Sequence, residues 1–190
     1  MKIADKVVDS MYENHIIEQD EIEIYRYGTQ LLLETFFSFL MFLVIAAFFS
    51  RVMEMIIFTI SFALLRQYAG GSHSKTFLGC FAVSCIMFSS LYLPLNFTGD
   101  GTVFICIGSA LSLPVIAVLS PVDSVYKPIA EDERKKYKKR LLILLCVEVI
   151  SAVFVYFLVN NICTICIVYS WCVLAVSLVT GHIVNKKLGK

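Results

Sequence analysis

The chain has 190 residues, 58% of them hydrophobic and 16% charged, with a mean hydropathy of +0.80. Its nine glycines bring the apolar share to about 63%, against about 45–50% for an ordinary soluble domain, and a fold of this size has too little interior to hide that surface. A soluble globule, a disordered chain and a collagen-like fibre are excluded, and a net charge of +1 supplies no basic field for nucleic acid. One integral membrane domain remains.

Residues 1–27 carry many charges and no continuous apolar stretch, so they do not read as a cleavable secretory signal. Ile3, Val7, Met11 and His15 recur every four residues, with Val8 and Tyr12 beside them, which predicts an amphipathic helix in the membrane interface. Such an arm serves either as a surface anchor or as a receiver for an amphipathic substrate. Asp20 is placed to cap a second helix, with Glu23 reaching back in capping-box fashion.

Apolar runs follow at 31–50, 52–65, 76–93, 102–119, 141–159 and 162–180. Most have the ~20 residues that cross ~30 Å of hydrocarbon as a helix. The run 52–65 has 14 residues, includes Glu54 and reaches only about 21 Å. It is a tilted neighbour, a helix continuing through Arg66–Ala69, or a segment that stops short of crossing. Runs of this length exclude a β-barrel. The expected fold is therefore all-α and polytopic, with about six transmembrane helices and an N-terminal interfacial helix. A single domain divides into an arm (1–27), a bundle (31–180) and a basic loop (120–140).

Between the second and third runs lies Arg66-Gln67-Tyr68-Ala69-Gly70-Gly71-Ser72-His73-Ser74-Lys75, and the helix after it brings in Cys80. Nowhere else do a glycine pair, a histidine and a nearby thiol occur together. Gly70 and Gly71 permit positive φ and a sharp change of direction, and Ser72 or Ser74 suits the cap of the next helix. Cys80 then sits about one turn inside a helix N-terminus and ~7.5 Å below Lys75, where the dipole and nearby water favour a thiolate. Cys106, Cys146, Cys163, Cys166 and Cys172 lie deeper or toward the far side, where desolvation opposes ionisation, and Cys85 is the weaker neighbour. On one unbroken helix His73 and Cys80 would be ~10.5 Å apart in rise, beyond the ~2.6–3.2 Å of a working pair. His73 is therefore expected off the helix, folded down over its first turn. By spacing alone, a polar loop with an incidental histidine and a core cysteine fits equally well.

Glu131–Arg140 (EDERKKYKKR) either docks an acidic substrate segment or marks the cytoplasmic side ahead of the fifth run. Cys163 and Cys166 have a redox-like spacing but sit in an apolar helix, where packing is the better account, and the odd total of seven cysteines reads as reduced thiols. His182 suits a helix terminus, and the spacing of histidines and cysteines supplies no metal motif. Glu54 and Glu148 are in-span carboxyls suited to polar contacts inside the bundle. Of the 16 Lys and Arg residues, all but Arg51 fall on one face of a six-span topology, which places both termini in the cytoplasm.

The stretch Arg66–His73 with Cys80 resembles the signature of the AgrB-like family (accessory gene regulator protein B), bacterial membrane endopeptidases that process quorum-sensing propeptides. Glu23-Ile24-Tyr25-Arg26-Tyr27-Gly28-Thr29-Gln30 is similar to the family's entry into the first span, and Ser120-Pro121-Val122-Asp123 through Arg140 to its large cytoplasmic loop. Ser72 departs from the aromatic residue of many members. The resemblance implies a cell-membrane cysteine endopeptidase without cofactor or metal, in which Cys80 is the nucleophile and His73 its general base. It implies an AgrD-like propeptide as partner, cleaved through a thioester and closed to a thiolactone or lactone. Arg66, Gly70, Gly71 and Gln30 are the candidate supporting residues; Gln30 and Glu34, near the cytoplasmic end of the first span, are candidates to orient His73 and are as easily explained as interhelical contacts. A homodimer is compatible with it. The rival class is a small transporter or channel-like binding protein gated by the glycine loop.

Overall fold

The computed structural model describes residues 2–70, 77–97, 101–122 and 131–187. Within them the regular structure is helical: α1 (Lys2–Glu13), α2 (Ile22–Phe48), α3 (Val52–Ala69), α4 (Phe77–Ser90), α5 (Tyr92–Phe97), α6 (Thr102–Leu119), α7 (Glu131–Leu158) and α8 (Asn161–Lys187). The described residues contain no strand, only an isolated parallel bridge between Gly70 and Val122. Helices α2, α3, α6, α7 and α8 are long and apolar enough to cross a membrane. Phe36, Leu40 and Phe48 of α2, Leu111 and Val118 of α6, and Phe154 and Phe157 of α7 are exposed, a surface that lipid accepts and water does not.

The run 52–65 extends as α3 through Ala69. Its 18 residues span about 27 Å, so it is the continuing helix among the three alternatives. The run 76–93 behaves differently. Helix α4 stops at Ser90, because Pro94 has no N–H for the Ser90 carbonyl and its ring crowds that oxygen, and the chain restarts as α5. The result is five long helices and one shorter apolar one. The second half of the expected basic loop is likewise helical: α7 begins at Glu131, so 131–140 projects as a rod of about 15 Å beyond the apolar run. Helix α8 continues past Gly181 and His182 to Lys187.

The arm forms α1, but its stripe is displaced from the expected one. Ala4 and Val8 are buried whereas Val7 and Tyr12 are exposed, and His15 lies beyond the helix with φ 56°. His15 N–H donates to the Tyr12 carbonyl and Ile16 N–H to that of Met11, which closes α1 as a Schellman motif. Asp5 and Asp9, one turn apart, both face Arg26 of α2, at 3.1 and 3.5 Å. The expected Asp20/Glu23 cap does not form. The N-cap of α2 is Glu21, and its carboxylate accepts from Glu18 N–H at 3.0 Å, half a capping box placed two residues earlier. A second Schellman turn, at Ser50 (φ 54°), reverses the chain into α3, where Arg51 pairs with Glu54 at 2.8 Å.

Helix α8 is the axis of the bundle, packed by α3, α6 and α7, with Trp171, Leu174 and Leu178 at its core. Directions follow from paired contacts. Helix α7 opposes α6, with Thr102 near Tyr156 at one end and Ser120 near Lys138 at the other. It also opposes α8, where Ala152 meets Thr164 and Glu148 meets Trp171. Helix α3 runs parallel to α8, with Ser61 on Ser170 and Arg66 on Ser177. The ends of α3, α6 and α8 and the start of α7 therefore share one end of the bundle.

Helix α6 approaches α8 closely because Gly108 has no side chain: a Cβ there would sit 2.8 Å from Val168 Cγ1 and 3.2 Å from Cys172 Sγ. Gly108→Val is expected to separate these helices and to cost about 1–3 kcal/mol by overpacking. A fall in the thermal midpoint of the detergent-solubilised protein checks this; an unchanged midpoint contradicts it.

Candidate active site

The site is built at the end of the bundle where α3 stops. Helix α3 cannot continue past Ala69, because Gly70 adopts φ 71° and ψ −148°, a region closed to side-chain-bearing residues. Gly70 N–H closes the last turn on the Arg66 carbonyl at 3.2 Å. The Arg66 guanidinium folds back, with Nη1 donating to the Gly70 carbonyl and to Ser177 Oγ of α8, both at 2.6 Å. The Ala69 carbonyl of this turn is taken from outside: Val122 N–H donates to it at 2.9 Å, forming the parallel bridge. The backbones approach so closely here that a Cβ on Gly70 would collide with the Val122 carbonyl oxygen.

Segment 120–122 is itself pinned. Lys138 Nζ donates to the Ser120 carbonyl at 2.8 Å, Arg134 Nη2 reaches the Pro121 carbonyl at 3.4 Å, and Ser120 Oγ donates to the Ile116 carbonyl. Tyr68 and Tyr137 pack with ring centroids 6.0 Å apart. Beneath them Leu65, Ala69, Val122 and Leu141 close the apolar floor. Four elements thus make a platform from which the chain leaves at Gly70.

The chain re-enters as α4, which begins at Phe77, so Cys80 is the fourth residue of that helix. His73 and Gly71, together with Ser72, Ser74 and Lys75, lie outside the described residues, and so does the separation of His73 from Cys80. Helix α4 packs on α2, where the Phe42 and Phe88 rings meet at a tilt of 33°. Counting back along the two helices sets Cys80 level with residue 34 of α2, about one turn from Gln30, which is half-buried. Of the residues expected to support the site, Arg66 and Gly70 are joined by a hydrogen bond. Gln30 lies in the first part of α2, the helix on which α4 packs.

Ser177, Val122, Arg134, Lys138 and Tyr68 were not singled out from the chain alone. The signal for three of them lay in the Ser120–Arg140 stretch, whose loop and basic run turn out to dock on the end of α3. The six described cysteines other than Cys80 are all free, and Cys166 is fully buried, as packing rather than redox use requires.

Comparison with known proteins gives the family. The family model described as Accessory gene regulator B matches residues 4–178. The chain belongs to the accessory gene regulator B family. It is 33% identical over 169 residues to AgrB-like protein 2 of Clostridium perfringens (strain 13 / Type A), covering 81% of this chain and 76% of the relative. It is 31% identical over 171 residues to an AgrB-like protein of Clostridium perfringens (strain SM101 / Type A), with the same coverage of each. No solved structure matches. As a member of the accessory gene regulator B family the protein is a membrane component of the accessory gene regulator system.

Gly70→Ala forces a strained φ, worth about 1–3 kcal/mol, and drives a methyl group into Val122. The expected outcome is release of segment 120–122 from α3. Hydrogen exchange at the Val122 amide should accelerate by about tenfold or more in the variant. Unchanged protection would contradict the bridge.

Proposed function

We propose that this protein is a cysteine endopeptidase of the cytoplasmic membrane that cleaves an AgrD-like propeptide and promotes its cyclisation. The observation that carries the reading is the fastening of Gly70. The strand of chain leading to His73 leaves from a backbone position held by Arg66 and Val122, and the first turn of the next helix holds Cys80. A pair built on so short a return needs both ends fixed, which the platform and the α2–α4 packing supply.

In this mechanism His73 takes the proton from Cys80 Sγ, and the thiolate attacks a peptide carbonyl of the propeptide. The C–N bond breaks, protonated His73 gives its proton to the leaving amine, and the acyl group stays on Cys80 as a thioester. A thiol within the substrate then attacks the thioester, closing a thiolactone and returning the Cys80 thiol; a substrate hydroxyl would give a lactone. Thioester exchange is nearly balanced in energy, so hydrolysis must be kept slow, and a site just below the polar boundary limits water. Both termini are assigned to the cytoplasm. The gathering of Arg66, Arg134 and Lys138 at one end of the bundle, with Arg51 at the other, supports that orientation.

The test is cleavage of a co-expressed AgrD-like propeptide. Cys80→Ser and His73→Ala are each expected to lower processing by about 10³-fold or more, with both variants still inserted in the membrane. Intact-mass measurement on wild type should reveal an acyl adduct that maps to Cys80. Full processing by Cys80→Ser overturns the enzyme reading.

A further inference from the structure

A buried carboxyl sits in mid-bundle, away from the platform. Glu148 of α7 is 7% exposed, and its Oε2 accepts from Ser61 Oγ of α3 at 2.8 Å and from Trp171 Nε1 of α8 at 2.7 Å. Ser61 Oγ is also 2.6 Å from Ser170 Oγ, whose hydroxyl lies 2.7 Å from the Ile167 carbonyl. Glu148 Oε1 is buried and has no hydrogen-bond partner among the described residues. An acidic side chain buried inside a membrane bundle with one carboxyl oxygen unpartnered is a poor device for stability, since apolar side chains of similar size commonly do as well or better.

The three helices joined at Glu148 are those that deliver the platform. From Ser61 it is nine residues along α3 to Gly70, about 13 Å, and from Glu148 ten residues back along α7 to Lys138, about 15 Å. From Trp171 it is six residues along α8 to Ser177, about 9 Å. Leucine and valine faces in a lipid solvent set little axial register, because sliding one past another exchanges one apolar contact for the next. Two donors from different helices on a single oxygen do fix it. A slide of α3 would carry Gly70 away from Val122 and would also break Arg66–Ser177.

We propose that Glu148 is a positioning residue for the His73/Cys80 site: its Oε2 holds α3, α7 and α8 in axial register and so sets the height at which Gly70 hands the chain to His73. This inference rests on the peptidase reading above. Its signature is a split between activity and stability.

The experiment uses the full-length protein in nanodiscs with a synthetic propeptide, measuring kcat, KM and thermal midpoint. Glu148→Leu is expected to keep or raise the midpoint while lowering kcat by about 10- to 100-fold with little change in KM, the scale for a small misplacement remote from the chemistry. Glu148→Gln, whose amide oxygen accepts both bonds, should restore kcat to within about threefold of wild type. Ser61→Ala and Trp171→Phe each remove one donor and should give partial kcat losses that do not add to that of Glu148→Leu. A wild-type kcat in Glu148→Leu overturns the inference, as do equal losses in Glu148→Leu and Glu148→Gln. If Glu148→Leu does not insert, the two donor variants decide, and wild-type kcat in both overturns it. Cleavage surviving in Cys80→Ser would instead defeat the peptidase reading itself.

Discussion

The carbonyl oxygens at the end of α3 impose the constraint from which the rest of this end of the bundle follows. A helix that stops near the polar boundary of a membrane exposes its last carbonyls without intrahelical partners, and leaving them unpaired there is costly. Here Ala69 O is taken by Val122 N–H and Gly70 O by the Arg66 guanidinium, which in turn reaches Ser177. Pairing these oxygens draws the 120–122 segment, the basic start of α7 and the end of α8 to one place. The residues flanking the candidate catalytic pair are thereby organised by backbone hydrogen bonding, and their side-chain chemistry is added to a frame already fixed.

Deeper in the bundle the same logic operates with different groups. Association in lipid depends on close approach and on polar contacts. Gly108 supplies the first, letting α6 settle against Val168 and Cys172. The Glu148–Ser61–Trp171 contacts supply the second. The arm uses charge outside the bilayer: Arg26 between Asp5 and Asp9 keeps α1 against α2 at little energetic gain, since all three side chains are well exposed.

The all-α membrane fold, the positions of the long helices and the sharp turn of the chain at Gly70 were legible in the sequence, because hydrophobic run length and the permissive conformations of glycine are local properties. What was not legible depended on pairing. Pro94 reads as one residue in an apolar run, and its effect appears only in the Ser90 carbonyl it fails to satisfy. The 131–140 run has the charge of a loop but continues a helix already propagating from the apolar segment, which requires no new nucleation. Asp20 looked like a cap, yet Glu18 and Glu21 close the turn first. The roles of Val122, Lys138 and Ser177 come from elements far apart in sequence meeting at one backbone position, and no spacing rule reports that. Glu148 was visible as an in-span carboxyl, but not the two helices it joins.

The shared direction of α3, α6 and α8 has an electrostatic consequence. The last-turn carbonyls of the three helices leave a local negative field at that end, which the antiparallel α7 offsets at longer range. Arg66, Arg134 and Lys138 lie in that field and bind carbonyl oxygens directly. The cationic rim is therefore counter-charge to the helix ends and to the backbone segment docked on them.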